Sequence, residues 1–419
     1  MRILWVKADK LLPVENGGNI RTYHVLRYLA AQHQLTFYSY YGGNPDPDYE
    51  RALQEQLPGS VAVCTGKAEL SGVARGVDYL KHVGNSAPYA VSRFADEKVR
   101  HDLALWFRDE RFDVAVCDFL DAAVNFPNRL NIPSVLFQHN VEAEIWRRHT
   151  ETASSPLKKA MYGVEFHKMQ RYEGAAVRRF QHVIAVSEND RGLMMRWVDG
   201  ERITVVPTGV DLEQFAPHGT SVAEPGPVIS FVGAMDWEPN VDGVEYFCSE
   251  IWPAIKGEVP EARFRIVGRN PVRRVQKWAS ESIEVTGRVP SVVEHLRESA
   301  VVIVPLRVGG GTRLKIYEAM AAEKAVVSTS VGAEGLDIHP GRDIMLAEDA
   351  TAFSQAVIML LRDRELRRRY EKAAAETAAR YDWPAIGERF SEVLQMVANA
   401  KIVGNKVAER ADAVPARSA

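Results

Sequence analysis

The chain has 419 residues, 46% hydrophobic and 26% charged, and a net charge of -3. That length exceeds what one core usually organises, so two or three domains are expected, and the near-neutral balance excludes a global field that would draw the chain to nucleic acid. Cys64, Cys117 and Cys248 stand far apart without paired spacing, which argues against a disulfide framework or a zinc site and for the cytosol.

The opening "MRILWVKADK" carries too short an apolar run for a signal peptide. No segment reaches the roughly 18 apolar residues of a membrane span, so any membrane contact would be peripheral.

Short β-branched runs alternate with longer amphipathic stretches, which predicts parallel strands joined by crossover helices. In chain order the predicted strands are 2–7, 35–40, 112–118, 134–139, 182–187 and 203–207. After the Pro- and Gly-rich "APHGTSVAEPGP" the alternation restarts with strands at 228–234, 263–268, 283–287, 300–306 and 325–330. The expected architecture is α/β, two Rossmann-like doubly wound domains facing a central cleft, since ligands of such sheets bind outside the carboxyl ends of the strands. The boundaries read as 1–215 for a first domain, 216–227 for a linker and 228–382 for a second domain. A helix over 383–403 is expected to fold back on the first domain, with a disordered tail over 404–419.

The segment "VGGGTRLKIYEAMA" sets three glycines and a threonine before a helix that begins on two cations, Arg313 and Lys315. A helix amino end favours acidic residues by about 0.3–1 kcal/mol each, so this order is inverted unless an anion is bound. Amides of Gly309, Gly310 and Gly311 can approach a ligand closely, Thr312 suits a helix cap, and together they suggest a pyrophosphate site. Glu318 shares a helix face with Leu314 and Ala322, where a carboxylate suits a ribose diol; the alternative is a local ion pair with Lys315. Gly17 and Gly18 open a helix after the first strand, and His139 stands at the carboxyl end of a buried strand, where functional groups of open sheets gather.

Two further stretches have bland readings beside functional ones. Asp46 and Asp48 have an Asp-x-Asp spacing known from metal-dependent transferases, but their flanking prolines favour a turn or cap. Basic residues between Trp146 and Arg179, interleaved with aromatics, form either a solvated helix face or a peripheral contact with an anionic bilayer.

With "NGG" at 16–18, "QHNVE" at 138–142, "VVPTGVD" at 205–211, "FVGAMDWEPN" at 231–240 and "PLRVGGGTRLKIYEAMA" at 305–321, the chain resembles the retaining glycosyltransferases of family 4, which have the GT-B fold. The resemblance implies a metal-independent, cofactor-free transfer from a nucleoside diphosphate sugar, UDP favoured, to a glycan or lipid-linked acceptor, in the cytoplasm or on the inner face of a membrane. It assigns Glu318 to the ribose, His139 to the sugar and the loop at Gly17 and Gly18 to the phosphates and acceptor. It adds Gly233, Gly268 and Leu314 to the nucleotide-sugar set, with Arg313 and Lys315 as charge-stabilising catalytic residues. Two departures stand out: Gly310 occupies the place of a family glutamate, and "GAMDWEPN" lacks the family's Arg and Lys, whose charge Arg313 and Lys315 would replace. A nucleotide-sugar epimerase of the same architecture and a noncatalytic nucleotide-sugar-binding subunit are the rival readings. A nicotinamide-dependent oxidoreductase is disfavoured, because neither domain has the glycine fingerprint followed by an acid.

Overall fold

The computed structural model describes residues 1–67, 70–108, 111–153, 155–216, 226–309 and 311–412. The chain divides into two compact units: unit 1 comprises Met1–Val206 and Ile386–Ala419, and unit 2 comprises Pro207–Ala385.

Unit 1 is built on a parallel sheet of β1 (Arg2–Ala8), β2 (Gln34–Tyr41), β3 (Val61–Cys64), β4 (Val114–Asp118), β5 (Ser134–Phe137), β6 (His182–Ala185) and β7 (Ile203–Val205). The order β3-β2-β1-β4-β5-β6-β7 reverses between β1 and β4. Central strands such as β1 and β4 are buried along almost their whole length, which is why they read as unbroken apolar runs rather than alternating ones.

Unit 2 repeats the plan with β8 (Val228–Val232), β9 (Arg263–Val267), β10 (Ile283–Gly287), β11 (Val301–Val304), β12 (Ala325–Ser328) and β13 (Met345–Leu346). Its order, β10-β9-β8-β11-β12-β13, reverses between β8 and β11. A reversal of strand order leaves a crevice at the carboxyl ends of the two strands flanking it. Each unit therefore has one favoured ligand position, past β1 and β4 in the first and past β8 and β11 in the second.

The expected boundaries need correction. Unit 1 ends at Val206, not at 215, because the next residues pair inside unit 2: the Val210 amide donates to the Tyr381 carbonyl, and Gly209 packs on the Trp383 indole. Residues 217–225 of the expected linker lie outside the described residues. The final helix spans Trp383–Asp412, longer than the 383–403 anticipated, and so covers the start of the segment expected to be disordered; the rest of that segment, 413–419, lies outside the described residues. The ring of Phe390 from this helix lies 5.3 Å from Trp5 and 5.0 Å from Phe137 in the core of unit 1. The sequence reading also missed β3 and β13, both at sheet edges.

Candidate active site

In unit 1 the site grows from the register of β1 against β4, which sets Lys7 beside Asp118 at the strand ends. Strand β5 stops at Phe137, so His139 leaves the ladder and turns its ring over this pair. His139 Nε2 lies 2.8 Å from Asp118 Oδ1, while Asp118 Oδ2 accepts the Thr22 hydroxyl at 2.8 Å and the Trp5 indole N–H at 3.1 Å. Lys7 Nζ is 3.7 Å from the same oxygen. Burial alone would raise the Asp118 carboxyl, but Lys7, His139 and Thr22 outweigh it and hold it well below the usual range. Burial lowers His139 to about 4 against the opposing pull of Asp118, so the imidazole is neutral at pH 7.

An ionised Asp118 makes His139 Nε2 the protonated nitrogen, which leaves Nδ1 as an acceptor. That nitrogen faces the amino end of the helix Gly17–Gln32, where a Cβ added at Gly18 would stand 3.4 Å from it. Asn16 caps this helix by accepting the Asn19 amide at 2.8 Å. Arg21, from the same helix, is 4% exposed, and burial lowers it to about 10 although Asp190 and Asp118 support its charge. Phe119, directly after Asp118, has φ +72, a conformation unusual for an aromatic residue, and its ring lies 5.3 Å from that of His139.

In unit 2 the loop after β11 carries Gly309 at φ +130 and Gly311 at φ +77 and leads into the helix Leu314–Ala321. Thr312 is not the cap, contrary to expectation: Arg313 occupies that position and no side chain caps the helix, because the left-handed turn at Gly311 carries the chain one residue further before it winds. Arg313 is 5% exposed, with its guanidinium 5.6 Å from the Trp237 ring centre. Lys315 Nζ donates to Asn240 Oδ1 at 2.9 Å and lies 4.4 Å from the Phe231 ring centre. A Cβ at Gly233 would be only 2.8 Å from that ammonium, so the glycine is what lets Lys315 reach the end of β8. Gly268 is equally constrained, since a Cβ there would meet the Gly233 carbonyl.

Burial, and next the nearby Arg313, lowers Lys315 to about 7, with Glu318 pulling the other way. Burial raises Glu318 to about 7, partly offset by Lys315. The alternative of a Lys315–Glu318 ion pair does not form: the lysine bonds Asn240, and the half-buried carboxylate makes no hydrogen bond among the described residues.

The anticipated residues thus gather in two groups, His139 with Gly17 and Gly18 in unit 1, and Gly233, Gly268, Gly309, Gly311, Thr312, Arg313, Leu314, Lys315 and Glu318 in unit 2. Gly310 lies outside the described residues. The sequence reading missed Asp118, Lys7, Arg21 and Thr22. Asp118 and Lys7 carried the same signal as His139, a polar group closing a buried strand. Asp46 caps the helix Pro47–Gln56 and pairs with Lys10 at 2.7 Å. In the basic stretch, Met169 is buried and Trp146 and Phe166 pack on the core, which accounts for the interleaved apolar residues. Among the described residues no helix is long and apolar enough to cross a membrane.

Two doubly wound units, each with a polar cluster at the strand ends beside its reversal, define a two-domain α/β architecture. Family models for "Glycosyltransferase Family 4" and "Glycosyl transferases group 1" match residues 15–214 and 226–363. The chain belongs to glycosyltransferase family 4 and has the GT-B fold. It is 28% identical over 233 residues to the phosphatidyl-myo-inositol mannosyltransferase of Mycobacterium leprae, a match that covers 54% of this chain and 60% of that protein. It is 23% identical over 380 residues to an "Uncharacterized 44.6 kDa protein in cps region" of Klebsiella pneumoniae, covering 85% and 90% of the two. Among solved structures, sucrose-phosphate synthase from Thermosynechococcus elongatus superposes with a TM-score of 0.70 at 18% identity, over 96% of this chain and 100% of that one. Anabaena HepE in complex with UDP gives 0.66 at 12% identity, over 94% and 100%.

Proposed function

We propose that the chain moves a glycosyl group from a nucleoside diphosphate sugar, a UDP-sugar first, to a hydroxyl of a glycan or lipid-linked acceptor, with retention at the anomeric carbon. The observation that carries this reading is the placement of Arg313 and Lys315. Arg313 is buried and Lys315 half-buried, and both lie over the "GAMDWEPN" segment, on Trp237 and beside Gly233. That is where family members carry the Arg and Lys this chain lacks. The positive charge is thus supplied from the opposite strand of the reversal. Two desolvated like charges at a helix amino end suit a diphosphate, whose binding would restore the full charge on Lys315. Glu318, half-buried and raised to about 7, suits the ribose hydroxyls.

Charge builds on the diphosphate as its bond to the sugar breaks. Preorganised donors there are each worth about 3–4 kcal/mol, and Arg313, Lys315 and the loop amides take that role. His139 Nδ1 accepts a hydroxyl of the sugar. The acceptor oxygen attacks from the face the diphosphate leaves, and its proton passes to the departing phosphate oxygen. The HepE complex with UDP-glucose supports the choice of donor, and the relative from a cps region supports a polysaccharide acceptor.

The test incubates the chain with UDP-glucose, UDP-galactose, UDP-N-acetylglucosamine and GDP-mannose, following nucleotide release and the anomeric proton by NMR. Release from at least one donor, a product of retained configuration and a drop of about tenfold or more with Glu318→Gln are expected. A chain that neither binds UDP nor releases nucleotide from any donor overturns the reading, and a trapped glycosyl-enzyme adduct overturns the same-face route.

A further inference from the structure

His139 sits in the turn 138–143, which runs from the end of β5 into the helix Glu142–Thr152. Val141 holds the cap position of that helix and supplies no side-chain bond to it. The cap comes instead from another helix, Pro156–Arg179, whose Glu173 is 0% exposed. Glu173 Oε1 accepts the Glu142 amide at 3.0 Å, and Oε2 accepts the Ala143 amide at 2.8 Å. The same Oε1 accepts Gln138 Nε2 at 2.8 Å, and Gln138 is itself fully buried. One carboxyl group therefore grips the turn on both sides of His139.

A helix that needs only a cap takes a Ser, Thr, Asp or Asn at the cap position itself. A local cap of that kind would satisfy the first amides and leave Gln138 unheld. The remote carboxyl does both, at the cost of burying an ionisable group. Burial raises the Glu173 carboxyl and the charge of Glu142 adds to this, while the amides of Ala143 and Glu142 lower it. Three N–H donors converge on its two oxygens, and no acceptor is bonded to either among the described residues, which fits the ionised form.

We propose that Glu173 is a positioning residue for sugar transfer, fixing the turn that carries His139 so that the ring stays between Asp118 and the sugar hydroxyl. The inference rests on the transferase reading, through the role given there to His139, and adds to it a residue that touches neither substrate. A group that holds a sugar must be placed closely, since a shift of about 1 Å costs on the order of 10²-fold in rate.

In Glu173→Gln the remaining oxygen stays where two donors converge, so the new amide nitrogen faces the Ala143 N–H and that bond is lost. Gln138→Met keeps the helix cap and removes only the tether before His139, and it decides the matter if Glu173→Gln does not fold. Each variant is expected to lower kcat for nucleotide release from the UDP-sugars by about 10- to 100-fold, with little change in donor KM or UDP affinity. The His139 Nε2 proton, bonded to Asp118, should also exchange with water faster in 1H–15N spectra of the full chain. Glu165→Gln is the control: this carboxyl lies on the same helix, is 1% exposed and accepts the Tyr89 amide at 2.9 Å, but bonds no residue of the turn among the described residues. It should leave kcat and the His139 exchange unchanged. Unchanged kcat in both Glu173→Gln and Gln138→Met, an equal loss in Glu165→Gln, or a loss carried by donor KM with unaltered His139 exchange, each overturns the proposal. An unaltered chain that releases nucleotide from no donor counts against the transferase reading instead, and the exchange of the His139 proton, read without substrate, still decides whether Glu173 holds the ring.

Discussion

The two nitrogens of the His139 ring have opposite duties, and Asp118 assigns them. Its Oδ2 receives two donors, Trp5 and Thr22, so this position must be an oxygen. In Asp118→Asn the amide nitrogen is consequently driven to the other position, facing His139 Nε2, which must then accept. The ring proton moves to Nδ1, and the acceptor proposed to hold the sugar becomes a donor. We expect kcat to fall by about 10²- to 10⁴-fold with a much smaller change in donor KM, and 15N NMR of the ring to report the reversed tautomer. Because burial holds His139 near 4, its protonation contributes no inflection to kcat between about pH 5 and 8 in the unaltered chain; a limb that disappears in His139→Gln would contradict this. At this scale the sequence was legible in part. His139 could be found because it closes an apolar run, and the same rule applied to "FDVAVCD" and "RILWVK" reaches Asp118 and Lys7. Arg21 and Thr22 could not be found, because a cation and a hydroxyl on a helix read as solvent-facing until tertiary packing buries them.

The helix Leu314–Ala321 is tied to the helix Glu238–Tyr246 that follows β8 by the bond from Lys315 to Asn240. Lys315 is lowered to about 7, so near pH 7 about half of the population lacks its proton. A diphosphate bound beside it favours the charged form, and binding then takes up protons. The sign follows by linkage: a ligand that raises a pKa binds more weakly as pH rises, here from about 7 towards the ordinary lysine value. UDP affinity should therefore decline between pH 7 and 9, and titration calorimetry in buffers of different ionisation enthalpy should show an uptake of up to about half a proton at pH 7. Lys315→Ala should abolish the uptake and weaken UDP by about 10- to 100-fold, the worth of one charge-assisted hydrogen bond. Unchanged affinity in both Lys315→Ala and Arg313→Ala would refute the replacement of the missing family cations. The inverted charge order at this helix was visible in the sequence because it violates a local rule. The cap was not, because Thr312 has the right chemistry, and only the backbone turn at Gly311 moves the cap position to Arg313.

Over the whole chain, the alternation of apolar runs announced two doubly wound units, and each predicted run overlaps an observed strand. What composition could not reveal is where the chain changes unit. The Pro- and Gly-rich segment marks a break in hydrophobicity, whereas the actual change follows backbone pairing of Val210 with Tyr381, a contact between residues far apart in sequence. The return at Ile386 makes unit 1 discontinuous, and its core should depend on the last helix. Phe390 lies between Trp5 and Phe137, and Gly387 sits so close to Tyr28 that a Cβ would overlap its ring. Phe390→Ala should cost unit 1 about 3–5 kcal/mol. Amide exchange in β1 and β5 would then accelerate by roughly two to four decades, while β8 and β11 keep their protection. Met396→Ala on the same helix is the control, since that side chain is 50% exposed and its loss should stay within about 0.5 kcal/mol. Equal acceleration in both units would mean that the helix stabilises the chain by some route other than the Trp5 and Phe137 contact, because that contact lies wholly inside unit 1.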